Sequence, residues 1–425
     1  MGLRSELHFD AMVIGAGTAG LVAATRLAEG GARVCVLAKG VGSTHLAPGT
    51  VDVLGYTPER VEEPARALSE LAAARPDHPY AVMGVESVAP ALEWFGERIN
   101  DGPQPGYRYV GGLESNHLLP SAVGTMRPSA LVPETMAEGE MRVREPVCIV
   151  GTRVLRDFHA ALCAANLAKV GIEARAIEIE IEVERADQNA LGLARRFDDP
   201  AWRAAFAAQL VAVLGADERV ALPAVLGSKD PHGVRTDLEK RLGRPVFEIP
   251  TLPPSVPGMR MFEILGSTLR GAGGRLVLGS EVVGAERENG RVTAVNAHAS
   301  GRDVRYVAPS LVLATGGFAS GGIELDSRWV TREGALDLPL RGLPGPGEPR
   351  FTSTYLAEQP MARVGVAVDA QLRAEGAENV VVAGAALPGA VPWRELSGEG
   401  IALASGYRAA STILSQAGAA ARATA

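Results

Sequence analysis

The stretch DAMVIGAGTAGLVAATRLAEGGARVCVLAKG, residues 10–40, decides the fold. AMVIG reads as a buried strand, Leu21 to Glu29 as a helix packed through Ala and Leu, and RVCVLA as a second strand, which together make a compact β-α-β unit. Gly15, Gly17 and Gly20 form GxGxxG between the first strand and the helix. Glycines at that spacing give a tight turn, let a phosphate reach the backbone, and let helix pack on strand, while the helix N-terminus offers N–H groups and positive dipole. GxGxxG alone is a weak signal whose plain alternative is a set of turn glycines, but a strand before it and a helix after it favour phosphate binding. The second strand ends at Ala38, where such folds place an acid for an adenosine ribose, and Lys39 follows.

The rest of the composition narrows the class. The chain has 425 residues, enough for two or three domains, and 47% hydrophobic content, ordinary for a globular protein. A formal charge of -7 without a Lys/Arg run argues against nucleic acid and for a small soluble ligand. MGLRSELHFD carries no apolar signal core, and no apolar run approaches the roughly 18 residues that span a bilayer, so a cytoplasmic chain is expected. Cys35, Cys148 and Cys163 are scattered, which suggests neither disulfides nor a zinc or iron–sulfur site; no metal ligands are assigned.

Along the chain, the glycine-rich loop KGVGSTHLAPGTVDVL (39–54) sits where these folds meet their ligand, and brings Gly40, Ser43 and Thr44 to that place. The pattern changes near Val85, passes the surface-like DGPQPGYRYVGG, and enters a second α/β run of VCIVG, a helix through DFHAALCAANLAKV, and the alternating strand AIEIEIEVE. TLPPSVPGMRMFEIL (251–265) returns the chain to the first unit, followed by strands in GGRLVLGSEVVGAE, RVTAVNAHA, LVLATGG and NVVVAGAA, and a closing helix after SGEG through about Ala410. The expected architecture is α/β: a discontinuous Rossmann-like flavin-binding domain (1–85 and 255–425) around a middle cap domain (86–254).

Two later segments favour flavin over nicotinamide. LVLATGGF (311–318) ends a strand in Thr315 and Gly316, and AGAALPG with SGEGIALASG gives a strand, a loop at Gly384, and a helix whose Gly398 and Gly400 would let bare N–H groups face a ligand. The plain readings are a strand with a Gly turn and an ordinary C-terminal helix. VCIVGTRVLRDF supplies no second GxGxxG, so a separate NAD(P)H site is poorly supported. His45 either contacts the flavin ring as a tuning or acid/base group or is a solvated loop histidine. TLPPSVPG suits either an interdomain wall lining the site or a rigid connector, and His232 in GSKDPHG reads as a surface turn.

GSTHLAPGTVDVL, LARRFDD, TLPPSVPGMR and the AGAALPG-to-SGEG tail, in this order over nearly the whole chain, resemble the B subunit of the bacterial anaerobic glycerol-3-phosphate dehydrogenase. The resemblance implies a flavin-bearing electron-transfer subunit, assigned FMN, with a flavin dehydrogenase A subunit and an iron–sulfur C subunit as partners. It further implies location at the inner membrane through that complex, conversion of glycerol 3-phosphate to dihydroxyacetone phosphate, and fumarate or nitrate as eventual acceptor. Ala385 departs from the acid that many FAD proteins carry there and repeats the pattern of Ala38. The missing ribose acid, with Lys39 as a cation for a terminal phosphate, makes FMN the expected cofactor and FAD the alternative. Two rival functions are a self-sufficient fumarate-reductase-type flavin oxidoreductase, its substrate held by His45 and Arg260, and a flavin-stabilised assembly subunit without redox role.

Overall fold

The computed structural model describes residues 5–102, 107–181, 189–299 and 301–424. Its central sheet has six strands in the order Arg275–Leu278, Val34–Ala38, Ala11–Ile14, Ser310–Leu313, Ala377–Val382 and Arg373–Ala374, all parallel except the last. Ala11–Ile14 and Val34–Ala38 are buried at every position, as expected of parallel strands covered on both faces. The helix between them, Thr18–Glu29, starts one turn earlier than the apolar pattern suggested, because Thr18 and Ala19 are buried too. It packs against the closing helix Gly398–Thr424, which runs well past Ala410. A second sheet of Ser5–His8, Arg302–Val307, Arg291–Ala299 and Ser280–Glu288 adjoins the first.

A separate core forms around a four-stranded parallel sheet in the order Val246–Ile249, Arg219–Pro223, Val147–Gly151 and Ala174–Glu178. The alternating run AIEIEIEVE is strand only through Glu178, and its residues 182–184 lie outside the described residues. The boundary expected at 85/86 falls inside the first core: the helix Val88–Asn100 buries Val88, Ala91, Leu92, Phe95 and Ile99 there, and Trp94 reaches Tyr407 of the closing helix. Its apolar positions recur at helical spacing, and the partner they need lies over 300 residues further along the chain.

One buried ion cluster fastens the closing segment. Glu395 bonds Arg75 at 2.7 Å, His78 at 3.1 Å, the Ser397 hydroxyl at 3.0 Å and the Val391 N–H at 3.2 Å. Burial opposes its ionised form, yet the hydrogen bonds and charges of His78 and Arg75 outweigh that and hold its carboxyl down at about 2. A carboxyl depressed in the fold stabilises above its unfolded pKa, and that contribution is lost as pH falls from about 4.5 toward 2. The shift corresponds to about 3 kcal/mol. Glu395→Gln should therefore lower stability at pH 7 and flatten its fall across that acid window, as denaturant titrations at successive pH values would register.

Candidate functional site

The carboxyl ends of the central strands stop side by side. Gly15 N–H donates to Leu37 O (2.8 Å), Ala314 N–H to Ile14 O (2.8 Å) and Ala383 N–H to Leu313 O (2.9 Å), so three chain segments turn away from the sheet at one level. Above them opens a cleft of about 1240 Å³. It is larger than an ordinary small-ligand pocket and lies where open α/β sheets bind theirs.

The three glycines of the first turn do different work. Gly15 has φ +111°, and a Cβ there would lie 2.2 Å from Ala314 O; one on Gly20 would lie 2.0 Å from Gly15 O. Both are required by the fold, and Gly20 does not line the cleft. Gly17 has an ordinary extended backbone, and its Cβ would meet nothing closer than Thr44 Oγ1 at 4.0 Å, so it would project into open cleft. Gly40, Ser43, Thr44, Thr315, Gly316, Gly384 and Gly398 line the same cleft.

Gly400 does not. Its N–H is taken by Asp52 O at 2.9 Å, and a Cβ would collide with the Tyr80 hydroxyl at 2.4 Å, so this glycine seats the closing helix on the Asp52–Val53 backbone. Lys39 lines the cleft but is exposed and paired with Glu281 at 2.8 Å. His45 is also displaced from the expected role: its ring lies edge-on to Phe262, centroids 4.9 Å apart, outside the cleft wall, and burial lowers its pKa. Its carbonyl accepts from Ser255 N–H at 3.1 Å, which ties the loop to the TLPPSVPG segment.

Arg260 is sealed at the junction of the two cores. Its guanidinium bonds Glu248 at 2.8 Å and Gly227 O, and the two side chains are 3% and 0% exposed, so it offers nothing to a ligand in the cleft. Pro250, Thr251 and Leu252 border a side cavity of about 220 Å³ that shares Leu46, Pro48 and Arg127 with the main cleft. His232, near Glu134, begins the helix Pro231–Leu242 in the second core. The three cysteines are buried with thiols pushed up to about 11 by burial, and none lines the cleft.

Sequence reading missed the charged groups of the wall. Asp52 is buried and bound by Arg127 and by the Thr50 hydroxyl (2.8 Å). Glu399, between the two glycines of SGEG, lines the cleft and buries its Oε2 without a hydrogen-bond partner, and the hydroxyl of Thr315, another lining residue, is likewise buried and unpartnered. The signal for Glu399 was the carboxylate itself in a segment read for its glycines; Arg127 came from a stretch without any motif. The residues present fit a flavin: the turn at Gly17 is open enough to admit a phosphate, the cleft wall is largely apolar, and Thr315 and Glu399, each with a buried unpartnered oxygen, stand in that wall.

A family model described as an FAD binding domain matches residues 10–401. The chain is 32% identical, over 96% of its length and 99% of the relative's, to the B subunit of the anaerobic glycerol-3-phosphate dehydrogenase of Pectobacterium atrosepticum. It belongs to the B-subunit family of anaerobic glycerol-3-phosphate dehydrogenases. The probable B subunit from Halobacterium salinarum is 33% identical over 96% of the chain and 97% of its own length, and the B subunit from Yersinia enterocolitica 31% over 96% and 99%. As a member of this B-subunit family it is a flavoprotein oxidoreductase whose cofactor is a flavin. Among the described residues of this family member, no helix is long and apolar enough to cross a membrane, and no group of three or more His, Cys, Asp or Glu could hold a metal ion.

Proposed function

We propose that this chain is the flavin-bearing electron-transfer subunit of a quinone-linked glycerol-3-phosphate dehydrogenase, acting with a flavin dehydrogenase A subunit and an iron–sulfur C subunit. The carrying observation is the cleft at the strand ends, with its open turn at Gly17 and its unpartnered Thr315 and Glu399, in a chain that matches its B-subunit relatives end to end. Bound there, a flavin would supply the electron transfer that links oxidation of glycerol 3-phosphate to dihydroxyacetone phosphate with a quinone, and with fumarate or nitrate as eventual acceptor. The chain's own residues hold and shield it. Gly15 shapes the turn, Gly17 N–H and the start of Thr18–Glu29 receive phosphate, and Gly384, Gly398 and Thr315 border the ring end. Tyr355 (92% exposed) and Trp393 (54%) are exposed aromatics that line the cleft, and Leu356 (80%) follows Tyr355 in the chain; this apolar exposure supports contact with a further subunit and peripheral membrane location through it.

The cofactor we assign is FAD. FMN was favoured by a free cation at Lys39, but Glu281 engages that cation. Beyond Lys39 the cleft continues along Ser280, Glu281 and Glu324, which gives an adenosine end both room and carboxylates where Ala38 has none. Heat release and chromatography should yield FAD, and an FMN peak would overturn the assignment. The isolated chain should be yellow yet turn over glycerol 3-phosphate with an artificial dye far more slowly than the whole complex. Equal rates would establish the self-sufficient reading instead, and a flavin never reduced even with partners present would give the chain an assembly role alone.

A further inference from the structure

We infer that Glu399 is the proton-holding group coupled to reduction of the cofactor in the cleft, an inference that rests on the flavin reading above. Its carboxyl stands in the first turn of Gly398–Thr424, lines the cleft, and buries Oε2 without a hydrogen-bond partner. The groups that face it leave it uncompensated. Arg127 attracts it, but that guanidinium is committed to Asp52 and Thr50. Asp52 repels its charge, and the neutral Thr18 hydroxyl, which meets Thr44 at 3.3 Å, only partly favours the ionised form. Tyr80 and Tyr109 on neighbouring elements are buried phenols, bonded to Val53 O and Gly49 O. Among the described residues Glu399 has no ion-pair partner within 4.0 Å, unlike its sequence neighbour Glu395 and its spatial neighbour Asp52.

Electrostatics then sets the direction. Burial, reinforced by Asp52, raises the carboxyl to about 7 against the pull of Thr18 and Arg127, so near neutrality it exists in both protonation states. An electron pair entering the ring with one proton leaves one added negative charge on the cofactor. That charge makes ionised Glu399 less favourable, and the carboxylate takes one proton from water; when the pair leaves, the proton returns to water. Atoms and charge balance at two electrons and two protons in, two electrons and two protons out.

The test is the midpoint potential of the purified holoprotein against pH, wild type beside Glu399→Gln, by spectroelectrochemistry. Wild type should take up more protons per electron pair between about pH 7 and 8.5, the difference approaching about one proton. Parallel slopes would overturn the inference. Infrared difference spectra of the wild type alone give a second reading: a protonated-carboxyl band should grow on reduction at pH 8, and its absence would equally overturn the assignment. In the Gln variant that band should vanish, and its persistence would assign the proton to another carboxyl. A purified protein that holds no flavin would instead refute the cofactor reading and this inference with it.

Discussion

Gly17→Val should yield a folded, colourless protein. The φ of −73° and ψ of −179° at Gly17 are open to any residue, and nothing in the protein stands within 4 Å of its Cβ direction except Thr44 Oγ1 at 4.0 Å. Losing glycine at the helix N-cap costs under about 1 kcal/mol. The added atoms fall in the cleft, where on the proposed placement they would occupy the space of the phosphate. Overpacking of that kind costs about 1–3 kcal/mol, so flavin affinity should fall on the order of 100-fold. The same change at Gly15, with its left-handed φ and a carbonyl 2.2 Å from the new Cβ, should cost the fold itself. Absorbance of the purified variant and its melting point against flavin-stripped wild type separate the two cases. A Gly17→Val protein that stays yellow would move the phosphate away from this turn.

Arg260→Leu should destabilise the whole chain. It strands Glu248, whose carboxylate is held by Arg260, the Thr135 hydroxyl at 2.6 Å and the Leu226 N–H at 2.7 Å, in a fully buried position. Breaking one side of a buried ion pair costs about 3–5 kcal/mol. Adding Glu248→Gln should restore part of that, because the uncompensated charge disappears while the amide can still accept from Leu226. Denaturant curves of the two singles and the double measure the coupling. If Arg260 were instead a substrate ligand, its loss would raise KM in a complex of undiminished stability.

What was legible in the sequence was local. The glycine turn, its flanking strands, the Thr315–Gly316 terminus and the Gly398 start of the last helix each declare themselves within ten residues, because backbone geometry and hydrophobic period act at that range. Lys39 looks like a free cation in the sequence because Glu281, its partner, lies 242 residues away. Arg260 reads as a site cation for a different reason: its partner Glu248 stands only 12 residues earlier, but nothing in the local pattern says that the helix Val256–Gly271 lays the guanidinium back on the strand Val246–Ile249. His45 sits beside residues that line the cleft, yet the tight 3₁₀ turn Ser43–Leu46 turns its ring toward Phe262. The helix Val88–Asn100 kept a clear amphipathic face, but nothing nearby says which of two cores that face will join.

The strand order of the central sheet also bears on how the molecule comes into being at the ribosome. Ala11–Ile14 is made early, but its neighbour Ser310–Leu313 is made about three hundred residues later and the next strand, Ala377–Val382, later still. Until then the edge of the first strand has no partner, and the cofactor turn lacks Thr315, Gly384 and Glu399 opposite it. The core around Val147–Gly151 and Arg219–Pro223 is contiguous in the chain and is complete well before. Synthesis therefore assembles the middle first, keeps the first β-α-β unit waiting on long-range pairing, and leaves the flavin site among the last parts of the molecule to exist.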